Sequence, residues 1–144
     1  MSERAAPRGR QAYRHAKRIT LRWADNDAYG HVNNTVYYAW FDTAVNQWLV
    51  EHGLLDIADG DPIGIVVETG CRYFAPLAYP GEVEVLLAIA RIGNSSTTYR
   101  LGVFEPYAET PSAEGYFTHV YVDRESRRPV PLPNVWRTKL EILA

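Results

Sequence analysis

Cysteine is almost absent from this sequence: Cys71 is the only one among 144 residues. A single thiol excludes an intrachain disulfide and a cysteine-cluster metal site, and it suits a reducing compartment. Long apolar runs are missing too. None approaches the roughly 20 residues that a bilayer span requires, and no signal-type apolar segment stands near the N-terminus, so a soluble, cytoplasmic protein is expected. Nor is one charge in excess, since 15 Lys and Arg against 17 Asp and Glu leave a net charge of −2. Such a chain offers no global field for nucleic acid or an anionic membrane surface, and any anionic ligand must be held by local groups. The 4 histidines fall at 15, 31, 52 and 119 without His-x-x-His spacing. Neither a metal site nor a cofactor is therefore expected.

What is present has the length of one ordinary domain. The opening "MSERAAPRGRQAYRHAKR" is basic and poor in large apolar residues, which predicts a mobile tail over residues 1–14 and a single domain over 15–144. In "KRITLRW", Ile19, Leu21 and Trp23 alternate with Arg18, Thr20 and Arg22, the period of a half-buried strand. From Thr35 to His52 the polar residues Thr35, Asp42, Thr43, Asn46, Gln47 and Glu51 gather on one side of a helix of 3.6 residues per turn. Asn33 or Asn34 suits its N-cap, and Gly53 suits the left-handed residue after its end. Four strands follow, at about Ile65 to Ala75, Glu82 to Ile92, Thr97 to Glu105 and Gly115 to Asp123. Turn chemistry in "PLAYPG", "GNS" and "EPYAETPS" separates them. "PNVWRTKLEIL" predicts a short last helix, with Pro133 in its first turn. This order is that of an α+β domain, and its long helix is apolar over most of its circumference. A flat sheet cannot cover such a helix: the sheet curls around it, a second subunit covers the remainder, or both.

The densest polar stretch, "RWADNDAYGHVNN", lies between the first strand and that helix. The first N–H groups of a helix have no internal partner and carry partial positive charge, so a carbonyl oxygen turning negative is stabilised there. A carboxylate a few residues earlier can attack that carbonyl or activate water against it. Asp27 stands seven residues before Asn34, and Gly30 between them lets the chain turn. Acyl transfer is the reaction class this arrangement suggests.

"DNDAYGHVNN" followed by Tyr38, together with "RYFAPLAYPGEVEV" and "RIGNSSTTY", resembles the 4-hydroxybenzoyl-CoA thioesterase family of hotdog-fold acyl-CoA thioesterases. The resemblance runs from about Ile19 to "RPVPLP" at Arg128 to Pro133. It implies a curved antiparallel sheet wrapped around one long central helix. It also implies a homo-oligomer built from dimers, a homodimer or a homotetramer, whose sheets join edge to edge with active sites at the subunit interface. In that family the second aspartate of Asp-x-Asp is the catalytic carboxylate, which matches Asp27, and a backbone N–H at the helix start is the oxyanion donor, which by position is Asn34. The motif is also similar to that of plant acyl-ACP thioesterases, whose Asp-x-Asn-x-His set falls on Asp27, Tyr29 and His31, with Tyr29 where that branch has asparagine. The implied substrate is an acyl-CoA or an acyl carrier protein thioester.

Each of these residues has a plainer role beside the chemical one. Asp25 is expected to shape the turn by accepting backbone N–H bonds, and Asn33 to cap the helix. His31 is either a general acid/base or a histidine hydrogen-bonded at the helix entrance. Glu68 either orders a water near the thioester or is a solvated strand residue. Cys71 and His119 are expected to be packed structural residues. Two other functions fit the same fold: a hydratase or dehydratase, whose histidine-containing helix entries "GHVNN" does not match, and a non-catalytic acyl-CoA-binding module, which has no evident need of Asp27.

Overall fold

The structure, a computed structural model, describes residues 6–144. Five strands, β1 (His15–Thr20), β2 (Ile63–Tyr73), β3 (Glu82–Ile92), β4 (Ser96–Phe104) and β5 (Ala113–Val122), accompany two helices, α1 (Val36–Glu51) and α2 (Asn134–Leu140). The strands form one antiparallel sheet in the order β1-β3-β4-β5-β2. Its alternation is the expected one: Val83, Val85 and Leu87 of β3 and Tyr99, Leu101 and Val103 of β4 are buried against the helix side. The sheet curves around α1, which buries Tyr37, Trp40, Phe41, Ala44, Val45, Trp48 and Leu49. At Gly115 of β5 a Cβ would collide with the Phe41 ring, so only a glycine lets the helix seat this close to the sheet.

The helix ends are set locally. At the C-terminus Gly53 takes φ +71°, and the Leu54 N–H returns to the Leu49 carbonyl at 2.8 Å, closing the last turn as expected of a glycine-terminated helix. At the N-terminus Asn33 Oδ1 accepts from both the N–H and the hydroxyl of Thr35, each at 2.9 Å. Asn33 therefore caps from two residues further out than a standard N-cap, and Thr35 directly precedes the helix.

Two expectations differ from the structure. Trp23 does not continue the alternation of β1, which ends at Thr20; it stands in a 3₁₀ turn (Trp23–Asp25), is 78% exposed, and meets the Tyr79 ring edge-on at 5.7 Å. The strand pattern is broken by the Asp25 side chain, which accepts the Arg22 N–H and turns the chain. The tail expected over 1–14 also differs. Residues 1–5 lie outside the described residues, but Arg8 donates its N–H to Glu114 at 2.8 Å, and Arg10 reaches Glu84 at 3.1 Å. Tyr13, only 7% exposed, packs edge-on against Phe104 over Leu86 and Ala88. One buried aromatic and two anchored arginines hold down a segment whose average composition reads as solvated.

Strand β2 is an edge of the sheet, and Ile65, Val66 and Val67 on it are exposed, Val67 to 58%. No helix among the described residues is long and apolar enough to cross a membrane.

Candidate active site

The loop between β1 and α1 is built from its own polar side chains. Asp25, 1% exposed, accepts the Arg22 backbone N–H at 2.7 Å through Oδ2 and the Arg22 guanidinium at 2.7 and 3.0 Å through Oδ1. Its carbonyl takes the Asn33 N–H at 2.8 Å, so Asp25 shapes the turn and positions the helix entrance. Asn26 receives the Tyr79 N–H at 3.0 Å, and the Val32 N–H reaches the Leu77 carbonyl at 2.7 Å, which staples the loop to the segment after β2.

Asp27 stands at the start of the tight reversal this frame supports. Its N–H donates to the His31 carbonyl at 2.8 Å, and its carbonyl accepts from Gly30, whose φ of +81° a side chain would resist. One carboxylate oxygen, Oδ1, accepts the N–H groups of Tyr29 at 2.8 Å and His31 at 3.3 Å. Oδ2 meets no donor among the described residues. The carboxylate is thus held by one oxygen and free at the other.

A cleft of about 390 Å³ opens beside it, lined by Asp27, His31, Asn34, Tyr37, Tyr73 and Phe74 among others. The three site residues read from the sequence, Asp27, His31 and Asn34, share this one cleft. The Asn34 N–H donates to no acceptor among the described residues, while its neighbours are committed: Val36 N–H to the Asn33 carbonyl at 3.0 Å, Thr35 N–H to Asn33 Oδ1. A carboxylate with a free oxygen and an unused N–H at a helix entrance are two groups that acyl transfer can use. The His31 ring is exposed and makes no hydrogen bond among the described residues, so of its two readings the hydrogen-bonded ring is the one without support.

The aromatics of the helix, Tyr37 among them, were read from the sequence as core and interface with some doubling as an acyl-binding wall; Tyr73 was not read. Tyr73 ends β2, packs edge-on to Tyr37 at 4.9 Å, and donates its hydroxyl to the Asn34 carbonyl at 2.8 Å. Burial raises the Tyr73 hydroxyl pKa further above its ordinary value and pushes Tyr37 up to about 12. The signal was available in the alternation of β2, which turns Cys71 and Tyr73 to the helix side.

Cys71 is half-buried and packs against the core, and burial pushes its thiol up to about 11, the opposite of what a nucleophile needs at neutral pH. Glu68 sits on the outer face of the sheet, where it accepts the Tyr116 hydroxyl at 3.2 Å, away from the cleft. His119 is a packed residue, 3% exposed among the rings of Tyr99, Phe117 and Tyr121, with burial lowering its pKa to about 4. Among the described residues no group of three or more His, Cys, Asp or Glu stands where it could hold a metal ion.

Known proteins share this architecture. The crystal structure of the PA5185 protein of Pseudomonas aeruginosa superposes with a TM-score of 0.91 at 50% identity, covering 95% of this chain and 96% of that one. That of Slr0204, a 1,4-dihydroxy-2-naphthoyl-CoA thioesterase of Synechocystis, superposes with a TM-score of 0.78 at 22% identity over 87% and 93% of the two chains, a likeness of fold. YneP of Bacillus subtilis, provisionally named an acyl-CoA thioesterase, is 26% identical over 87% of this chain and 94% of its own. The family model described as the thioesterase-like superfamily matches residues 21–140, a span that takes in the loop of Asp27, the helix, the whole curved sheet except β1 and all of α2. With a sheet curled around one helix and a carboxylate at that helix's mouth, the chain belongs to the thioesterase-like superfamily.

Proposed function

We propose that this protein hydrolyses acyl-CoA thioesters to the free acid and the thiol, with Asp27 as nucleophile or general base and the Asn34 N–H as oxyanion donor. The observation that carries this reading is the pair itself: a carboxylate oxygen and a backbone N–H, both without a partner among the described residues, lining one cleft. A thioester carbonyl between them has its carbon toward Asp27 and its oxygen toward Asn34. In one route Oδ2 attacks that carbon, the carbon–sulfur bond breaks as the thiolate leaves, and water then hydrolyses the acyl–aspartyl anhydride. In the other, Asp27 takes a proton from water as the water attacks, and the carboxylic acid and thiolate form in one addition–elimination. Both routes place negative charge on the carbonyl oxygen, where the Asn34 N–H is worth most. Neither needs a metal or cofactor.

The exposed apolar edge of β2 supports a dimer in which two such edges pair, adding the cover that one sheet leaves off α1. A second charge there opposes it. In Val67→Lys, light scattering at micromolar concentration should show the 16.3 kDa chain, and the unmodified protein at least twice that mass. A monomeric wild type with full turnover removes the dimer from the account.

The activity is tested by incubating the protein with a panel of acyl-CoAs, aromatic and aliphatic, alongside acyl carrier protein thioesters, and following released thiol. Turnover of one class supports the reading and names the substrate. Tight binding of CoA esters without thiol release across the panel would make it a binding module instead.

A further inference from the structure

The geometry points to Tyr73 as a positioning residue for the oxyanion site: its hydroxyl pins the Asn34 carbonyl to the end of β2 and so keeps that carbonyl from swinging into the cleft beside the Asn34 N–H. This rests on the reading of Asn34 given above.

Asn34 is joined to its neighbours by two peptide planes. The first contains the Asn33 carbonyl and the Asn34 N–H, and it is tied by the Val36 N–H at 3.0 Å. The second contains the Asn34 carbonyl and the Thr35 N–H. Its N–H is tied to the Asn33 side chain at 2.9 Å, a local bond within the same turn. Its carbonyl is tied at 2.8 Å by Tyr73, 39 residues away on another element. The Asn34 carbonyl is the negative end of a peptide dipole standing beside the place where an oxyanion forms. Left without a donor, it can swing toward the cleft and repel the charge that the neighbouring N–H should stabilise. The Tyr73 hydroxyl removes that freedom. Tyr73 is itself fixed, by its place at the end of β2 and by the edge-on Tyr37 ring at 4.9 Å.

The hydroxyl does not titrate at working pH. Burial first, then Cys71 and Tyr38 facing it, hold its pKa above the ordinary tyrosine value, so it stays a donor. A positioning role therefore differs from that of a general acid, whose loss would alter the pH profile.

Tyr73→Phe keeps the ring and deletes the bond. In the otherwise unmodified enzyme, kcat should fall about 10-fold, less than on losing an oxyanion donor outright, while KM stays within about 2-fold and the pH profile keeps its shape. A spectroscopic arm reads the donor directly. Carbonyl-labelled benzoyl-CoA bound to Asp27→Asn should show its carbonyl stretch lowered from the solution value, and adding Tyr73→Phe should reduce that shift by about half with little change in Kd. An undiminished shift together with wild-type kcat in Tyr73→Phe overturns the role of Tyr73 and leaves Asn34 standing. No shift in Asp27→Asn alone overturns Asn34 as donor, and the role of Tyr73 with it.

Discussion

Two polar clusters, at the mouth of α1 and in the interior around His119, have been solved in opposite ways. At the mouth nearly every donor and acceptor is matched within a few residues: Arg22 to Asp25, Asp25 to Asn33, Asn33 to Thr35, Asp27 to Tyr29 and His31. The groups left over, Oδ2 of Asp27 and the Asn34 N–H, open onto the cleft. In the interior, His119 Nδ1 is buried without a partner among the described residues, shut in by the rings of Tyr99, Phe117 and Tyr121. Burial lowers the His119 pKa to about 4, yet its ring is only 3% exposed and does not line the cleft beside Asp27. Perturbed titration alone does not mark a site; unmatched groups on a reachable surface do.

The contrast breaks first in acid. His119 is held neutral at a pKa near 4 against an unfolded value of about 6.5. The unfolded chain then binds more protons, so stability should fall as pH drops from about 6.5 to about 4, by up to about 3 kcal/mol. Chemical denaturation across that window checks this, with His119→Phe expected to flatten the slope. An unchanged slope would show that other groups carry the acid limb.

Next in size is Asp25. Asp25→Ala deletes charge-assisted bonds to Arg22 and should cost about 2 kcal/mol in denaturant unfolding, whereas Asp27→Asn should cost little stability. Smaller again is His31→Ala, expected to lower kcat by no more than about 10-fold because its ring is bonded to nothing among the described residues. Should it exceed the loss in Asp27→Asn, with a histidine-like acid limb in the rate, His31 is the base. Least affected is Cys71→Ala, which trims a half-buried thiol for about 1 kcal/mol of stability and should leave turnover intact.

How much of this could be read beforehand depended on the distance over which each feature is determined. Glu82 to Ile92 was delimited to the residue, because its alternation and its flanking glycines are local. The Gly53 helix end was legible for the same reason. Trp23 was misplaced because one Asp25 side chain, through a bond to Arg22, overrides the period of the strand before it. Tyr13 was assigned to a tail because its burial depends on Phe104, some ninety residues on. Asp27, His31 and Asn34 lie in one contiguous motif, which is why the sequence could propose them together, and they line one cleft. It could not propose Tyr73: its link to Asn34 exists only once β2 has been paired with β5 and the sheet closed around α1.

The central claim is that Asp27 carries the chemical step, and thiol release by wild type and Asp27→Asn on one accepted acyl-CoA tests it most directly. Asparagine keeps the size of the side chain and an oxygen to accept the Tyr29 and His31 N–H groups while removing the charge. With substrate affinity and melting temperature retained, kcat should fall by about 10²-fold or more. Turnover near the wild-type rate in a folded Asp27→Asn protein would contradict the account and reduce the loop to a well-tied entrance to a buried helix.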